Sequence, residues 1–215
     1  MNKKEFKEGM RDGIPIALGY LAVSFTFGMM AVKDHIGILQ AVIISLTNVT
    51  SAGQFAGLDI IVAGGSLIEM ALTQLIINLR YSLMSISLSQ KLQKGTGTGK
   101  RLLLAYSVTD EIFGVSAARK GKLNIFYSYG AIAVAVPGWV LGTALGAISG
   151  SIMPAFLMSA FSVAIYGMFL AIIIPPAKED KAVLGVVLAA MALASAFAYV
   201  PGMKKISSGF AIIIV

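Results

Sequence analysis

Apolar runs of membrane-spanning length recur along the whole chain, and only short polar links separate them. A helix needs ~20 apolar residues to cross the ~30 Å hydrocarbon core of a bilayer. Of the 215 residues, 57% are hydrophobic and 13% are charged, which is about half the charged fraction of a soluble domain. We therefore predict an all-α, polytopic membrane protein with about five to eight membrane helices. The composition excludes a soluble enzyme.

The basic residues are clustered between the apolar runs. A formal net charge of +7 would favour a nucleic-acid partner in a soluble chain, but these clusters are typical of the positive-inside rule. The chain contains no cysteine, which excludes disulfides and thiolate metal sites. No other metal-ligand cluster stands out, so we expect neither a metal nor a cofactor.

Several runs are predicted to cross the membrane as single helices. They are Gly13–Val32, Ser66–Ser89, Leu123–Ile148, Ile152–Ile174 and Ala182–Val200. Residues 1–12 are polar and are predicted to form a short amphipathic segment on the membrane surface. The last run, Ile206–Val215, would extend only ~15 Å as a helix. We expect either that the natural chain continues or that this end only dips into the bilayer.

Two further runs are interrupted by polar residues. Ile36–Gly65 would be ~45 Å long as one helix, and the hydroxyl, amide and small residues of Asn48–Gln54 lie near its middle. We predict two half-helices that meet at this break. Arg101–Ala118 is shorter and is interrupted by Thr109-Asp110-Glu111.

The distribution of Lys and Arg favours re-entrant half-helices. If every run spans once and the N-terminus is inside, the inside carries nine basic residues and the outside seven. If Ile36–Gly65 and Arg101–Ala118 each enter and return on one side, the inside carries thirteen and the outside three. The second arrangement obeys the positive-inside rule better. We favour it, with a cytoplasmic N-terminus, although the counts leave single crossings open.

We predict one transmembrane domain over residues 1–215 with a faint internal repeat. An apolar helix, a broken or kinked helix and another apolar helix follow one another in residues 13–89 and again in 123–200, joined by a linking segment at 91–122. The order of the elements matches, but individual residues do not. Repeated halves are common in transporters, which hold substrate where discontinuous helices meet.

The first candidate site is the break at Asn48–Gln54. Thr50, Ser51 and Gly53 are small residues that precede the second half-helix, and the exposed N–H groups at the N-terminus of that helix would favour an anion such as a substrate carboxylate. The alternative is a packing kink, in which small residues let neighbouring helices approach.

Ionisable and amide side chains in the remaining runs supply further candidates. Asn78, Arg80 and Glu69 lie in one predicted span, where ionisable groups are costly and indicate function by default. Alternatively, Arg80 reaches the headgroups and the amide joins a neighbouring helix. Asp110 and Glu111 could take a substrate ammonium or relay a proton, or could form a solvated turn.

Four stretches of the sequence, in matching order and spacing, resemble the AzlC family of branched-chain amino acid permeases. Members of this family are the large subunit of LIV-E type exporters. The four stretches are Gly13-Ile-Pro-Ile-Ala-Leu-Gly-Tyr20 with Phe27-Gly28, Ser51-Ala-Gly-Gln-Phe55, Asn78-Leu-Arg-Tyr-Ser-Leu-Met84 and Thr109-Asp-Glu-Ile-Phe113. The resemblance implies that the protein exports valine, leucine or isoleucine across a bacterial plasma membrane. It also implies a partner, a small membrane subunit of the AzlD type. It also implies a longer natural chain.

A branched-chain amino acid needs a carboxylate site, an ammonium site and an apolar pocket. We expect Ser51, Gly53 and Gln54, helped by Arg80, to take the carboxylate, and Asp110 or Glu111 to take the ammonium. Asn78 is expected to line the same site. Candidates for the pocket wall are Phe27, Phe55 and Phe113. Candidates for proton coupling are Asp110, Glu111 and Glu69.

Other classes of protein fit the sequence less well. A passive channel for a small solute or ion would need a continuous polar pore, and a non-transporting assembly subunit would need a transporting partner. An intramembrane enzyme would need a nucleophile and a base in reach of each other. No such pair stands out, so we expect no enzymatic activity.

Overall fold

The computed structural model describes residues 2–150, 152–154, 156, 170, 173–175, 177–201, 203 and 206–215. Within them the chain is all-α, as predicted, with no strand. The named helices are α1 (Lys3–Lys33), α2 (Ile38–Thr47), α3 (Ser51–Val62), α4 (Leu67–Lys91), α5 (Thr98–Tyr106), α6 (Asp110–Ala117), α7 (Ile125–Gly150), α8 (Lys181–Tyr199) and α9 (Ser208–Ile214). Of these, α1, α7 and α8 are long and apolar enough to cross a bilayer.

The first helix begins earlier than predicted. Residues 1–12 do not form a separate surface segment, because α1 runs unbroken from Lys3 and continues through Pro15. Polar residues in its first turns form ion pairs within the protein. Glu5 and Glu8 lie 3.0 and 2.9 Å from the guanidinium of Arg119. Burial lowers the pKa of Arg119, but these two carboxylates outweigh that effect and the pKa is raised.

α1 and α7 pack in parallel along a face of glycines. Gly130 lies against Phe6, Gly138 against Ala17, and Gly150 against Met29, so the position along α7 rises with the position along α1. Gly142 and Gly146 continue this face one turn apart. Small residues at four-residue spacing let two membrane helices approach at backbone distance. The two helices therefore begin at the same end.

The described residues divide into two compact units that interleave along the chain. The first contains residues 1–54 and 78–152, and the second contains residues 55–77 and 153–215. The halves predicted at 13–89 and 123–200, and their internal repeat, stay predictions. The predicted span Ile152–Ile174 lies mostly outside the described residues.

The break in the second apolar run is real but shorter than predicted. α2 ends at Thr47 and α3 begins at Ser51, so the unwound backbone is limited to residues 48–50. Ser51 to Gln54 form the first turn of α3 instead of belonging to the break. Within the break, the Thr50 hydroxyl donates to Oδ1 of Asn48 at 3.1 Å.

The second interrupted run is a helical hairpin whose two ends lie at one end of α7. At its start, the Tyr129 hydroxyl donates to the carbonyl of Lys100 at 2.7 Å. At its close, the Ser116 and Ser128 hydroxyls lie 2.8 Å apart. The structure thus places both ends of residues 101–118 at one end of α7, as the re-entrant arrangement requires, and their return to one side of the membrane stays a prediction.

The basic residues of the first unit concentrate at this same end. The connection from α4 is held there too, because Leu123 N–H donates to the carbonyl of Lys91 at 2.9 Å. The clustered residues are Lys3, Lys4, Lys7, Arg11, Lys91, Lys94, Lys100, Arg101, Arg119, Lys120 and Lys122. Lys33 lies at the opposite end of α1.

Candidate functional site

Two helix breaks converge on one aromatic pair in the first unit. The rings of Tyr20 and Trp139 pack edge to face, with centroids 5.2 Å apart and planes at 82°. Val49, from the break between α2 and α3, and Ile112, from the first turn of α6, are buried in the same cluster. Tyr20 and Trp139 each lie near the middle of a long helix, so the breaks meet at mid-length of α1 and α7.

A chain of buried polar groups holds the α2–α3 break in place. Gln54, which is 1% exposed, accepts a hydrogen bond from the Trp139 indole N–H at 2.7 Å and donates to the Ser45 hydroxyl at 2.8 Å. The Ser45 and Thr143 hydroxyls lie 2.6 Å apart. Both ends of the Gln54 amide are used inside the protein. We therefore interpret this residue as positioning the break, whereas the sequence suggested direct contact with substrate.

The tip of the α5–α6 hairpin carries two carboxylates and faces an arginine. Asp110 lies 2.9 Å from the guanidinium of Arg80, which also donates to the Tyr81 hydroxyl at 3.0 Å and stacks over the Tyr81 ring at 4.9 Å. Arg80 is about eleven residues, or ~16 Å, before the end of α4. Arg80 and Asp110, predicted separately, are thus brought together.

The second carboxylate of the tip binds a tyrosine. The Tyr20 hydroxyl lies 2.6 Å from Oε2 of Glu111 and 2.5 Å from Oγ1 of Thr109. Thr109 is the N-cap of α6 and accepts a hydrogen bond from the Ile112 N–H at 3.3 Å. Both acidic residues lie in the first turn of α6, where the helix dipole favours negative charge.

The common wall predicted for the three phenylalanines stays a prediction. Phe113 packs against an apolar cluster around Leu88 and Leu104, and Phe27 is fully buried further along α1. Phe55 belongs to the second unit. The apolar groups that surround the convergence of the breaks are Val49, Ile112, Ala135 and Trp139.

Glu69 is a buried carboxylate with hydrogen-bond partners at the start of α9. It belongs to the second unit and is 5% exposed. Its carboxylate accepts hydrogen bonds from the Ser207 hydroxyl and from the Gly209 N–H, the latter at 3.1 Å. These groups begin α9, so Glu69 caps that helix. Asn78 and Gly53 have polar contacts of their own and stay unassigned.

Tyr20 and Trp139 were not among the predicted site residues. Trp139 is the only tryptophan of the chain and carries a polar N–H in the interior of a long apolar run. Buried Trp and Tyr usually need a hydrogen-bond partner, so each was a signal for a polar site at membrane depth.

Comparison with known proteins supports the family resemblance of the four sequence stretches. The family model described as AzlC protein matches residues 15–153, which is more than half of the chain. The chain belongs to the AzlC family. The match covers Tyr20, Trp139 and both helix breaks.

The curated relatives of this AzlC family member are membrane proteins. Inner membrane protein YgaZ of Escherichia coli (strain K12) is 33% identical over 150 residues, which cover 68% of this chain and 61% of the relative. An uncharacterized membrane protein of Archaeoglobus fulgidus is 30% identical over 175 residues, covering 80% and 76%. One of Helicobacter pylori is 29% identical over 152 residues, covering 69% and 65%. No solved structure matches the chain.

These findings establish an all-α membrane protein of a family linked to transport. The match to YgaZ spans less than two thirds of that relative's length.

Proposed function

We propose that this chain is the large subunit of a transporter that exports branched-chain amino acids such as leucine. The observation that carries the proposal is the convergence of two helix breaks on Tyr20 and Trp139, halfway along α1 and α7. In transporters, discontinuous helices that meet near mid-depth form the substrate site. Arg80, Asp110 and Glu111 add charged groups at the same place.

The groups at the convergence match the three parts of a branched-chain amino acid. α3 begins at Ser51, and the positive end of its dipole suits a carboxylate. Glu111 suits the ammonium, because Asp110 is already paired with Arg80. Val49 and Ile112 offer apolar contacts to the side chain. This assignment chooses between the two carboxylates that the sequence left open.

The charge distribution supports an orientation. The basic residues of the first unit lie mainly at the end where α1 and α7 begin, and the positive-inside rule assigns that end to the cytoplasm. The N-terminus would then be cytoplasmic, in a bacterial plasma membrane. A small AzlD-type membrane subunit is the proposed partner, and export against a gradient would be driven by protons.

Counterflow in proteoliposomes tests this proposal. Vesicles containing the chain, alone or with an AzlD-type subunit, are loaded with unlabelled leucine and diluted into labelled leucine. We expect transient accumulation of label with at least one preparation, and at least a tenfold lower rate for Glu111→Gln. Glu179→Gln, an exposed carboxylate on the surface, is the matched control and should behave like the wild type.

The assay also separates the alternative functions. A passive channel equilibrates label without transient accumulation above the external concentration, and that result would reject the transporter. If neither preparation moves leucine, the proposed substrate class is wrong. If E111Q and E179Q both retain the wild-type rate, the assignment of the ammonium site is wrong.

A further inference from the structure

The charges at the hairpin tip do not balance. Asp110 pairs with Arg80 at 2.9 Å, and no described Lys or Arg nitrogen lies within 4.0 Å of the Glu111 carboxylate. With both carboxylates ionised, the tip therefore carries one negative charge in excess of its cations, balanced only in part by the α6 dipole. Such a charge at membrane depth is costly. A proton or a bound cation on Glu111 would remove that cost.

Among the groups at the hairpin tip, only Glu111 is left to bind the proton or the cation. Tyr20 faces it from α1, and Arg80 and Tyr81 lie on α4, while Asp110 precedes it on α6. Arg80 is the only cation of this set, and its guanidinium is engaged by Asp110 and by the Tyr81 hydroxyl. Glu111 is thus the acidic group open to a cationic ligand.

The hydrogen bonds around Tyr20 accommodate both ionisation states of Glu111. A phenol has one proton and can also accept, and the Tyr20 oxygen lies 2.6 Å from Glu111 and 2.5 Å from Thr109. When Glu111 is ionised, Tyr20 donates to it and accepts from Thr109. When Glu111 is protonated, its carboxyl donates to Tyr20, which then donates to Thr109. In both states, one of the two side chains donates a hydrogen bond to the other.

We infer that Glu111 is an exchange site at which a proton and the ammonium of the substrate compete, so that binding of either ligand releases the other. This inference rests on the proposed function and adds its coupling step. A protonated Glu111 and an amino acid with its ammonium group give an ionised Glu111 paired with that ammonium, plus one free proton. Because coupling between ligands is reciprocal, protonation of this carboxylate lowers its apparent affinity for the substrate, and bound substrate lowers its apparent affinity for the proton.

Proton release on ligand addition tests the inference. The purified protein, with its AzlD-type subunit if that is required for binding, is titrated in weakly buffered detergent solution with a pH-sensitive dye. The two probes are leucine and 4-methylpentanoate, which is leucine without its amino group. At a pH where Glu111 is protonated, leucine should release about one proton per molecule bound. 4-Methylpentanoate should release none, because it brings no ammonium to Glu111.

Two variants identify the group that is responsible. Glu111→Gln should bind 4-methylpentanoate with the wild-type affinity, which shows that it is folded, and should release no proton with leucine. Glu69→Gln keeps a hydrogen-bond acceptor for the start of α9 and should release protons like the wild type. Leucine affinity should fall up to tenfold per pH unit on acidification in the wild type and in E69Q, but not in E111Q.

Several outcomes would overturn the exchange site. They are leucine binding to the wild type without proton release, proton release that persists in E111Q, and proton release that is lost in E69Q. If the wild type binds leucine without releasing protons, this inference fails while the proposed function stands. If the wild type binds neither probe, the proposed function fails and the exchange site fails with it.

Discussion

The indole N–H of Trp139 donates to Oε1 of Gln54 at 2.7 Å, across a distance of 85 residues in the chain. The same amide donates from Nε2 to Ser45, so one side chain ties the middle of α7 to both half-helices of the second apolar run. This contact fixes the break next to Tyr20, and it can be tested through stability.

Gln54→Leu should lower the free energy of unfolding by about 2–4 kcal/mol, because it leaves the Trp139 N–H and the Ser45 hydroxyl buried without their partner. Trp139→Phe should cost about 1–3 kcal/mol, and the double variant should cost less than the sum. The measurement is denaturant unfolding in detergent, followed by circular dichroism. Gln93→Leu, at an exposed position, should stay within about 0.5 kcal/mol of the wild type. Full additivity would show that the contact is not formed.

The glycine face between α1 and α7 should be intolerant of a single methyl group. A Cβ at Gly142 would meet the backbone of Leu21 and the Ser24 side chain, whereas a Cβ at Gly19 would meet nothing within 4 Å. Gly142→Ala should therefore destabilise by about 1–3 kcal/mol. Gly19→Ala should stabilise by up to about 1 kcal/mol through helix propensity. The thermal midpoints of both variants in detergent check this, and equal midpoints would contradict the close packing of α7 against α1 at Gly142.

The hairpin predicts which loops share a side of the membrane. The chain contains no cysteine, so single cysteines can be labelled without background. Lys94→Cys and Lys120→Cys flank the hairpin and should react with an impermeant maleimide from the same side of the membrane. Lys33→Cys, at the far end of α1, should react from the other. Labelling of positions 94 and 120 from opposite sides would show that residues 101–118 cross.

The Arg80–Asp110 pair should show strong coupling between its members. Arg80→Gln or Asp110→Asn alone leaves one charge without its partner, and the double variant removes both charges. The two side chains are 48% and 43% exposed, so we expect a coupling free energy of about 1–2 kcal/mol, between those of surface and buried pairs. A double-mutant cycle on unfolding in detergent measures it. A value near zero would mean that the pair does not form in the membrane protein.

Much of this arrangement could be predicted from the sequence, because the features concerned depend on residues that are close together in the chain. Apolar runs define helices in a bilayer because unsatisfied backbone groups cannot face lipid. The polar interruptions at Asn48 and Asp110 therefore marked the two breaks. The positive-inside count also favoured a return of residues 101–118, and the structure places both ends of this run at one end of α7.

The failures concern partners that lie far apart in the chain. The start of α1 looked like a surface segment because Glu5 and Glu8 are polar, and their partner Arg119 is more than a hundred residues away. Gln54 was predicted to contact substrate, and its hydrogen bond with Trp139 could not be inferred from the sequence. Pairing of Arg80 with Asp110 likewise depends on how α4 and the hairpin pack. Spacing along one helix does not reveal it.

The most direct test of the central claim uses Trp139 as its own reporter. It is the only tryptophan of the chain, and its ring lies 5.2 Å from Tyr20 at the convergence of the breaks. Leucine is titrated into the purified protein, and the emission of Trp139→Phe under the same conditions is subtracted. We predict a saturable change in Trp139 emission over the leucine concentrations that saturate transport. Saturable leucine transport with unchanged Trp139 emission would contradict the account.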